Sequence, residues 1–297
     1  MDLRPITESI ASESLVDRVK LFESTESMQG EDFNNKRKND VLLYLGCLGL
    51  TFDVHKYETG ENIIASVGKP PYIGVGSHFD VVPGSPGAND NASAMAVTID
   101  VLRRFKDSPL ENIGVRGFFF DEEENRLRGS RAYVRERGID DLVGVYNMEL
   151  VGSGENLAFW AENEVHDGTL LKTIEQCAKN QGVQTYRFPS ISRFLMNSGD
   201  HESFIEAGFP EAFCITAVSN KDIELARKYG LIGGTKPSLL GLAQLALTGG
   251  ANILFSSDLF KHYHQPTDIS EHLDCKTLQR VSDLLRDSIL EIDRNFK

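Results

Sequence analysis

The chain has 297 residues, 40% of them hydrophobic and 25% charged, which is an ordinary globular composition and long enough to bury a full core. Its formal net charge of −13, with no basic stretch to offset it, argues against nucleic acid as a partner. No apolar run reaches the length of a membrane span, so we expect no membrane partner.

The amino terminus and the cysteines bear on the cellular compartment. The first residues are acidic where an export signal would need an apolar run, so no targeting segment is visible. Four scattered cysteines without CxxC spacing are typical of reduced core thiols rather than of a disulfide or zinc framework: Cys47, Cys177, Cys214 and Cys275. We therefore predict a cytoplasmic protein, unless an export signal has been trimmed. The sequence leaves the oligomeric state open.

Hydrophobic periodicity predicts alternating helices and strands. The first elements in chain order are helices at 12–25 and 31–50 and strands at 51–57, 62–67 and 72–78. They are followed by a helix at 91–105, a strand at 113–120, a helix at 127–137, and strands at 143–148 and 156–161. The last elements are helices at 165–181 and 202–207, a strand at 210–216, helical patches at 222–229 and 238–247, and a terminal helix at 275–296.

This order of elements predicts an α/β fold. We expect a single-domain, three-layer α/β/α sandwich around a mixed, mostly parallel central sheet. The chain shows no internal repeat, low-complexity tract or linker, so residues 1–297 are interpreted as one domain. The segment 221–260 is the hardest to interpret, and the sequence leaves three interpretations open: a lid, an oligomer contact near the site, or a plain insertion.

Side chains that can ligate metals recur where the predicted strands end. They come from His78 with Asp80, from the acidic run Glu122 to Glu124, from Glu149, from Asp90 on the first loop, and from His264 after a longer loop. Because the carboxyl ends of parallel strands meet at one edge of a sheet, these side chains are expected to converge there.

Each of these residues alone has an ordinary explanation. A single histidine after a strand is usually a satisfied, partly buried residue, and Asp90 could simply cap the helix that follows it. The glutamate run could open a helix, where the dipole favours acids, and Glu149 could be a surface acid. Their coincidence at successive strand ends instead favours a metal site, because independent surface acids need not fall at the same edge.

The composition of this set points to two metal ions. Two histidines and three or four carboxylates can form two shells of nitrogen and oxygen ligands around a shared carboxylate, which suits a pair of Zn²⁺ ions with an open position for water. Two such ions would polarise a carbonyl and lower the pKa of a bridging water. One glutamate more than the ligands require is present, and it could act as the base for that water.

Six segments, in order along the chain, together resemble the co-catalytic dizinc aminopeptidases: SHFDVV, GANDNASAMA, FFDEEENRLRGSRAY, NMELVG, SGDHESFIEAGFP and HQPTD. That group includes bacterial leucyl aminopeptidases, and glutaminyl cyclases share its fold. The resemblance covers residues 30 to 295, approximately. It implies a zinc-dependent exopeptidase that removes amino-terminal residues from peptides or other aminoacyl substrates. The ligand set would accept Mn²⁺ or Co²⁺ as well as Zn²⁺.

The resemblance also implies a role for each matching residue. The metal ligands would be His78, Asp90, Glu124, Glu149 and His264, with Asp90 bridging both ions. Because Leu127, Gly129 and Ser130 fix the register of the glutamates, Glu123 matches the general base that activates the bridging water. Asp80 would orient His78 and so assist catalysis. Supporting or substrate-contacting positions would be Asp200, His201 and Asp268.

Several positions depart from the family pattern. Arg126 stands where a glycine is usual, and Glu149 stands where an aspartate is common. Related enzymes often carry a tyrosine before the run that ends in His201, whereas this chain has Phe194, Leu195, Met196 and Asn197 there. Stabilisation of the transition state would then fall to the metals or to His201, for which a packing role beside the site is an equal alternative.

Two further residues near the motifs are interpreted as ordinary. Glu122 is one acid more than the pattern needs, and it is interpreted as a solvated residue. His262 lies two residues before the final motif, and it is interpreted as a surface residue. The interval 221–260 is longer than the short connection expected there.

Three alternative functions stay open. A related dizinc carboxypeptidase or N-deacylase ranks second to an aminopeptidase. Such enzymes usually insert a lid domain, and the interval from Glu149 to His264 is short for one. Glutaminyl cyclase needs only one zinc, and it ranks third because this chain keeps a residue at every position of the two-metal set. A non-catalytic binding relative would be expected to have lost ligands or the base, and none is lost.

Overall fold

An eight-stranded sheet runs through the described part of the chain. The structure is a computed structural model that describes residues 13–23, 31–160, 168–188, 199–209, 211–229, 232 and 256–296. The strands are β1 (Thr51–Lys56), β2 (Glu61–Val67), β3 (Tyr72–His78), β4 (Gly114–Phe120), β5 (Leu142–Met148), β6 (Asn156–Trp160), β7 (Thr185–Phe188) and β8 (Ala212–Val218). The helices are α1 (Leu15–Phe22), α2 (Glu31–Cys47), α3 (Ser93–Asp107), α4 (Arg128–Arg137), α5 (Thr169–Asn180), α6 (His201–Glu206), α7 (Asn220–Lys228) and α8 (Cys275–Asn295).

The strands lie in the order β1-β2-β4-β3-β5-β8-β6-β7. The central strands β4, β3, β5 and β8 are parallel to one another. At the two sides, β2 and β6 run antiparallel to their central neighbours. The predicted α/β class with a mixed, mostly parallel central sheet is therefore confirmed.

Strand β4 shows how the sheet acquires helices on both faces. Successive side chains of a strand point to opposite faces. Val115 and Phe119 accordingly enter one apolar core, while Phe118 and Phe120 enter another. The first core includes residues of α3, α5 and α8, and the second includes residues of α4 and α6. Central parallel strands are buried in this way on both faces, which gives the predicted three layers.

The observed elements differ from the predicted ones in a few places. The helix predicted from residue 91 begins at Ser93, after a wide helical turn (Ala88–Ala92), and the strand predicted at 210–216 is observed as β8. Strand β7 was not predicted, because four residues are too few to show a clear alternation. The predicted helical patch at 238–247, and the start of the helix predicted at 165–181, lie outside the described residues.

The four cysteines are all free, but they are not all in the core. Cys214 is buried, Cys47 and Cys177 are half-buried and Cys275 is exposed, so the expectation of a core thiol is wrong for Cys275. Within the described ranges, no helix is both long and apolar enough to cross a membrane.

Candidate metal centre

The carboxyl ends of β3, β4 and β5 bring the predicted site residues together. His78 is the last residue of β3, the pair Glu123 and Glu124 follows β4, and Glu149 directly follows β5. Asp90 comes from the wide turn between β3 and α3. Since these three strands are parallel neighbours, residues distant in sequence reach a single edge of the sheet.

The Asp90 carboxylate lies between two sets of candidate ligands. Its Oδ1 is 3.2 Å from His78 Nε2, and this nitrogen is also 3.2 Å from Glu149 Oε2. Its Oδ2 is 3.1 Å from His264 Nε2, and this second nitrogen is 3.0 Å from Glu124 Oε1. One carboxylate therefore connects a set containing His78 and Glu149 with a set containing His264 and Glu124.

These separations fit atoms that share a tetrahedral metal ion. Zn²⁺ holds nitrogen and oxygen ligands at about 2.0–2.2 Å, so two of its ligand atoms lie about 3.3–3.6 Å apart. The distances of 3.0–3.2 Å around Asp90 are close to that value. His78, Asp90 and Glu124 also each place a ligand atom within 4.8 Å of the others. The donor set and its spacing therefore fit divalent zinc.

One buried oxygen in the cluster, Asp90 Oδ2, also indicates a cation site. Asp90 Oδ2 is buried and has no hydrogen bond from any described residue, although His264 lies close to it. A buried carboxylate oxygen without a partner is costly, and a bound cation would satisfy it. The side chain does not cap α3, because the residue before that helix, Ala92, has no capping side-chain bond and Asp90 faces the two histidines.

Acidic groups are concentrated and buried in this cluster. Burial, reinforced by the charge of Asp90, raises the pKa of Glu124 to about 7. Burial also raises the pKa of Glu123 well above its usual value of 4.5. Burial acts on Asp90 as well, but the neighbouring imidazoles of His264 and His78 outweigh it and hold the pKa of Asp90 below its ordinary range. Divalent cations would supply the positive charge that such a cluster needs.

Asp80 contacts both the candidate base and a candidate ligand. Its carboxylate accepts the backbone N–H groups of Glu123, at 3.0 Å, and of Glu124, at 3.1 Å. His78 Nδ1 lies 3.0 Å from the Asp80 carbonyl oxygen and 3.4 Å from its Oδ1. Asp80 thus stands where it can orient His78, as the sequence suggests, and it also fixes the turn that carries the two glutamates.

Two asparagines that the sequence patterns do not single out hold the Glu149 carboxylate. Asn91 Nδ2 donates to Glu149 Oε2 at 2.6 Å and to the Met148 carbonyl at 2.8 Å. Asn147 Nδ2 donates to Glu149 Oε1 at 3.2 Å. A buried asparagine inside the apolar strand β5 was a usable signal for Asn147. Asn91 gave no distinct signal, because it sits in a sequence that also suits the start of a helix.

The supporting residues proposed from the resemblance also lie at this edge. Asp268 accepts the backbone N–H groups of Asn89, at 2.8 Å, and of Asp90, at 3.1 Å. Asp200 and His201 are buried at the start of α6. A Cβ added to the preceding Gly199 would lie 3.3 Å from Glu149 Oε1, which shows how closely this segment approaches the cluster.

Glu122 is not the freely solvated acid that the sequence suggests. It accepts hydrogen bonds from Tyr57 Oη at 3.1 Å and from Thr59 Oγ1, both in the β1–β2 hairpin. It also accepts bonds from Asn125 at 3.1 Å and Arg128 at 3.3 Å. These contacts attach the hairpin to the turn that carries Glu123 and Glu124. The residues next to Glu122 in the sequence give no sign of this attachment, because Tyr57 and Thr59 lie more than sixty residues earlier.

Arg126 has the left-handed backbone conformation that a glycine would favour, with φ +65°. We expect Arg126→Gly to increase the free energy of unfolding by up to about 1 kcal/mol. The left-handed conformation costs a residue with a side chain about 1–2 kcal/mol, and the greater conformational entropy of glycine in the unfolded chain offsets part of the gain from relieving it. Arg126→Ala keeps the strained conformation and serves as the control. Urea denaturation of both variants measures the difference, and a glycine variant less stable than the alanine variant would contradict this explanation.

Other predicted features lie apart from the cluster or outside the described residues. His262 stacks on His272, with ring centroids 4.2 Å apart, and its Nδ1 lies 2.9 Å from Thr267 Oγ1. The residues Phe194 to Asn197 are not described. Of the segment 221–260, the structure describes the part in α7, residues 229 and 232, and residues 256–260. A lid or insertion there stays a prediction.

Comparison with known proteins identifies the family. Residues 62–289 match the model of peptidase family M28, and the chain therefore belongs to this family. A curated relative, the aminopeptidase YwaD of Bacillus subtilis (strain 168), is 26% identical over 248 residues, which are 81% of this chain and 46% of that protein. The chain thus spans about half the length of this relative.

Solved structures show the same fold. A zinc aminopeptidase from Bacillus subtilis has a TM-score of 0.56 at 23% identity, over 78% of this chain and 50% of that one. A glutaminyl cyclase from Porphyromonas gingivalis has a TM-score of 0.68 at 16% identity, over 96% of this chain and 98% of that one. At these identities the likeness extends to the fold alone.

Proposed function

We propose that this chain is a zinc metallo-aminopeptidase with a two-metal centre that removes amino-terminal residues from peptides. The observation that carries the proposal is the position of Asp90, whose two oxygens face two separate sets of one histidine and one glutamate. Membership of peptidase family M28 and the similarity to a Bacillus aminopeptidase support it.

In this proposal each set holds one ion. His78 and Glu149 would hold the first and His264 and Glu124 the second, with Asp90 shared between them. Bound Zn²⁺ would supply Lewis-acid polarisation of the scissile carbonyl and a water of lowered pKa. The same nitrogen and oxygen donors would accept Mn²⁺ or Co²⁺.

Glu123 is the residue proposed to move the proton. Its Oε2 lies 3.9 Å from His78 Nε2, whereas the nearest oxygens of Asp90 and Glu149 lie 3.2 Å from the same nitrogen. The Glu123 carboxylate is therefore next to the first set of ligands but farther from His78 than the ligands are. In the proposed reaction this carboxylate takes a proton from the attacking water and then donates it to the leaving amine nitrogen. Asp80 keeps Glu123 in place through the backbone N–H.

The net charge of the chain bears on the substrate. A charge of −13 is compatible with a cationic group such as a free amino terminus, whereas the buried carboxylates of the site would be neutralised by the bound ions. A single catalytic domain over residues 1–297 and a cytoplasmic compartment stay predictions from the sequence.

A substrate panel tests the proposed reaction. The zinc-loaded protein should release the first amino acid from a peptide with a free amino terminus and leave the same peptide unchanged when it is acetylated. Release of acetate or of the acetylated residue would instead indicate a deacylase or a related peptidase. Conversion of an amino-terminal glutamine to pyroglutamate would indicate a cyclase. Inactivity on every substrate with metals bound would indicate a binding relative.

A further inference from the structure

Arg37 is a completely buried arginine on α2, and it lies outside the residues that match the family. Its guanidinium donates four hydrogen bonds, all to backbone carbonyl oxygens. Nε donates to Phe22 at 2.6 Å and Nη1 to Phe79 at 3.2 Å, while Nη2 donates to Pro86 at 3.3 Å and also to Gly87. An arginine with this much buried polar surface needs all of its partners in fixed positions.

The carbonyls that Arg37 binds belong to the two segments that carry candidate ligands. Phe79 lies between His78 and Asp80, so its carbonyl fixes the backbone directly after β3. Pro86 and Gly87 lead directly into the turn that presents Asp90. One planar guanidinium thus joins the exit of β3 to the Asp90 turn.

The loop before Asp90 is held from the opposite side by Asp268. The Asp268 carboxylate accepts the N–H groups of Asn89 and Asp90, and its carbonyl accepts the N–H of Ala88 at 3.1 Å. Arg37 therefore fixes carbonyls and Asp268 fixes N–H groups of one short loop. Gly87 makes the approach possible, because a Cβ there would lie 2.8 Å from Arg37 Nη2.

Arg37 also places a positive charge behind the acidic cluster. Burial lowers the pKa of Arg37 to about 10, opposed by the charges of Asp268, Asp90 and Asp80. At neutral pH the guanidinium is therefore still charged, and it offsets part of the repulsion between those acids.

We propose that Arg37 is a positioning residue of the metal centre, which fixes the separation of His78 and Asp90 by binding both of their backbone segments. This inference rests on the proposed two-metal site. It assigns to helix α2 a part in metal binding, although none of the five candidate ligands lies on α2. Partners that orient ligands in this way typically change metal affinity or activity about 10–100-fold when they are removed.

Arg18 provides a matched control, because it is a second buried arginine with a purely structural setting. It is 1% exposed, against 0% for Arg37, and each guanidinium lies over an aromatic ring, 5.4 Å from the Tyr44 ring for Arg18 and 5.1 Å from the Phe33 ring for Arg37. Its hydrogen bond to the Ala96 carbonyl, at 3.2 Å, and its ion pair with Asp100, at 3.9 Å, are both made to α3.

The experiment compares Arg37→Met, Arg37→Lys and Arg18→Met in the full chain. Zinc affinity is measured by competition with a chromophoric chelator, thermal unfolding is measured on the same samples, and kcat and KM are measured at saturating zinc. Arg37→Met should weaken binding of at least one ion about 10–100-fold and lower kcat more than it raises KM. Arg18→Met should lower the melting temperature yet bind both ions as the wild type does.

Arg37→Lys separates charge from geometry, since lysine keeps the buried charge but cannot make four bonds in one plane. We expect it to bind zinc more weakly than the wild type and to alter the absorption spectrum of the Co²⁺-loaded protein. If Arg37→Met does not fold, this variant decides the question. Wild-type affinity and an unchanged Co²⁺ spectrum in Arg37→Lys would then overturn the inference.

The outcomes distinguish this inference from the proposed function. Two ions bound equally well by the wild type and by the Arg37 variants would contradict the inference alone. A loss of affinity in Arg18→Met as large as that in Arg37→Met would also contradict it, because the effect would then follow stability. A wild-type chain that binds no zinc would contradict the proposed function, and the inference with it.

Discussion

Glu123→Gln is expected to keep two metal ions bound while kcat falls about 10²–10⁴-fold, the usual contribution of a general base. The amide has the shape of the carboxylate but cannot take a proton from the attacking water. The turn itself should not move, because Asp80 holds the backbone N–H of Glu123 and not its side chain. Steady-state kinetics on a peptide with a free amino terminus, together with metal analysis, measure both parts of this prediction.

Glu122→Gln is the matched control for that variant. It is the same chemical change one residue earlier, at an acid that binds the β1–β2 hairpin instead of facing the histidines. We expect its kcat to stay within about threefold of the wild type, because the glutamine can still accept the hairpin hydrogen bonds. Near-normal turnover in Glu123→Gln would show that Glu123 is not the base.

Asp90→Ala is expected to reduce the metal content from two ions to one or none and to lower activity at least about 100-fold. The reason is that one carboxylate faces both candidate sets, at 3.2 Å from His78 Nε2 and 3.1 Å from His264 Nε2. Removing it takes a ligand from each ion at once. Metal analysis after loading and desalting measures the content directly.

Asp100→Asn is a suitable control for the loss of a buried acid. Asp100 is 5% exposed and binds Arg103, Arg104 and Ser282, away from the candidate ligands. This variant should lose stability and keep both ions. Full occupancy by two ions in Asp90→Ala would show that Asp90 is not a ligand of either one.

The parts of the site that could be predicted from the sequence are those with a local signal. His78 ends one strand and Glu149 directly follows another, and the residues of both strands predict them clearly. Parallel strands carry such residues to a common edge of the sheet. The α/β class could be predicted from the alternation of strand and helix patterns along the chain. The position of Glu123 relative to Glu124 depended on the register of the motif that follows them, and the structure places both of them at the site.

The parts that could not be predicted depend on contacts between distant segments. Nothing near Arg37 in the sequence indicates that it binds carbonyls more than forty residues away. Asn147 and Asn91 act on Glu149 from two different elements. Glu122 looked like a spare acid because its partners, Tyr57 and Thr59, lie in a hairpin that the linear sequence does not place beside it.

The number of zinc ions per chain tests the central claim most directly. The purified protein is loaded with Zn²⁺, desalted and analysed by mass spectrometry of the metal against protein concentration. The two sets of ligands around Asp90 predict two ions per chain. One ion per chain would contradict the two-metal centre, and none would contradict a metal site at this edge of the sheet.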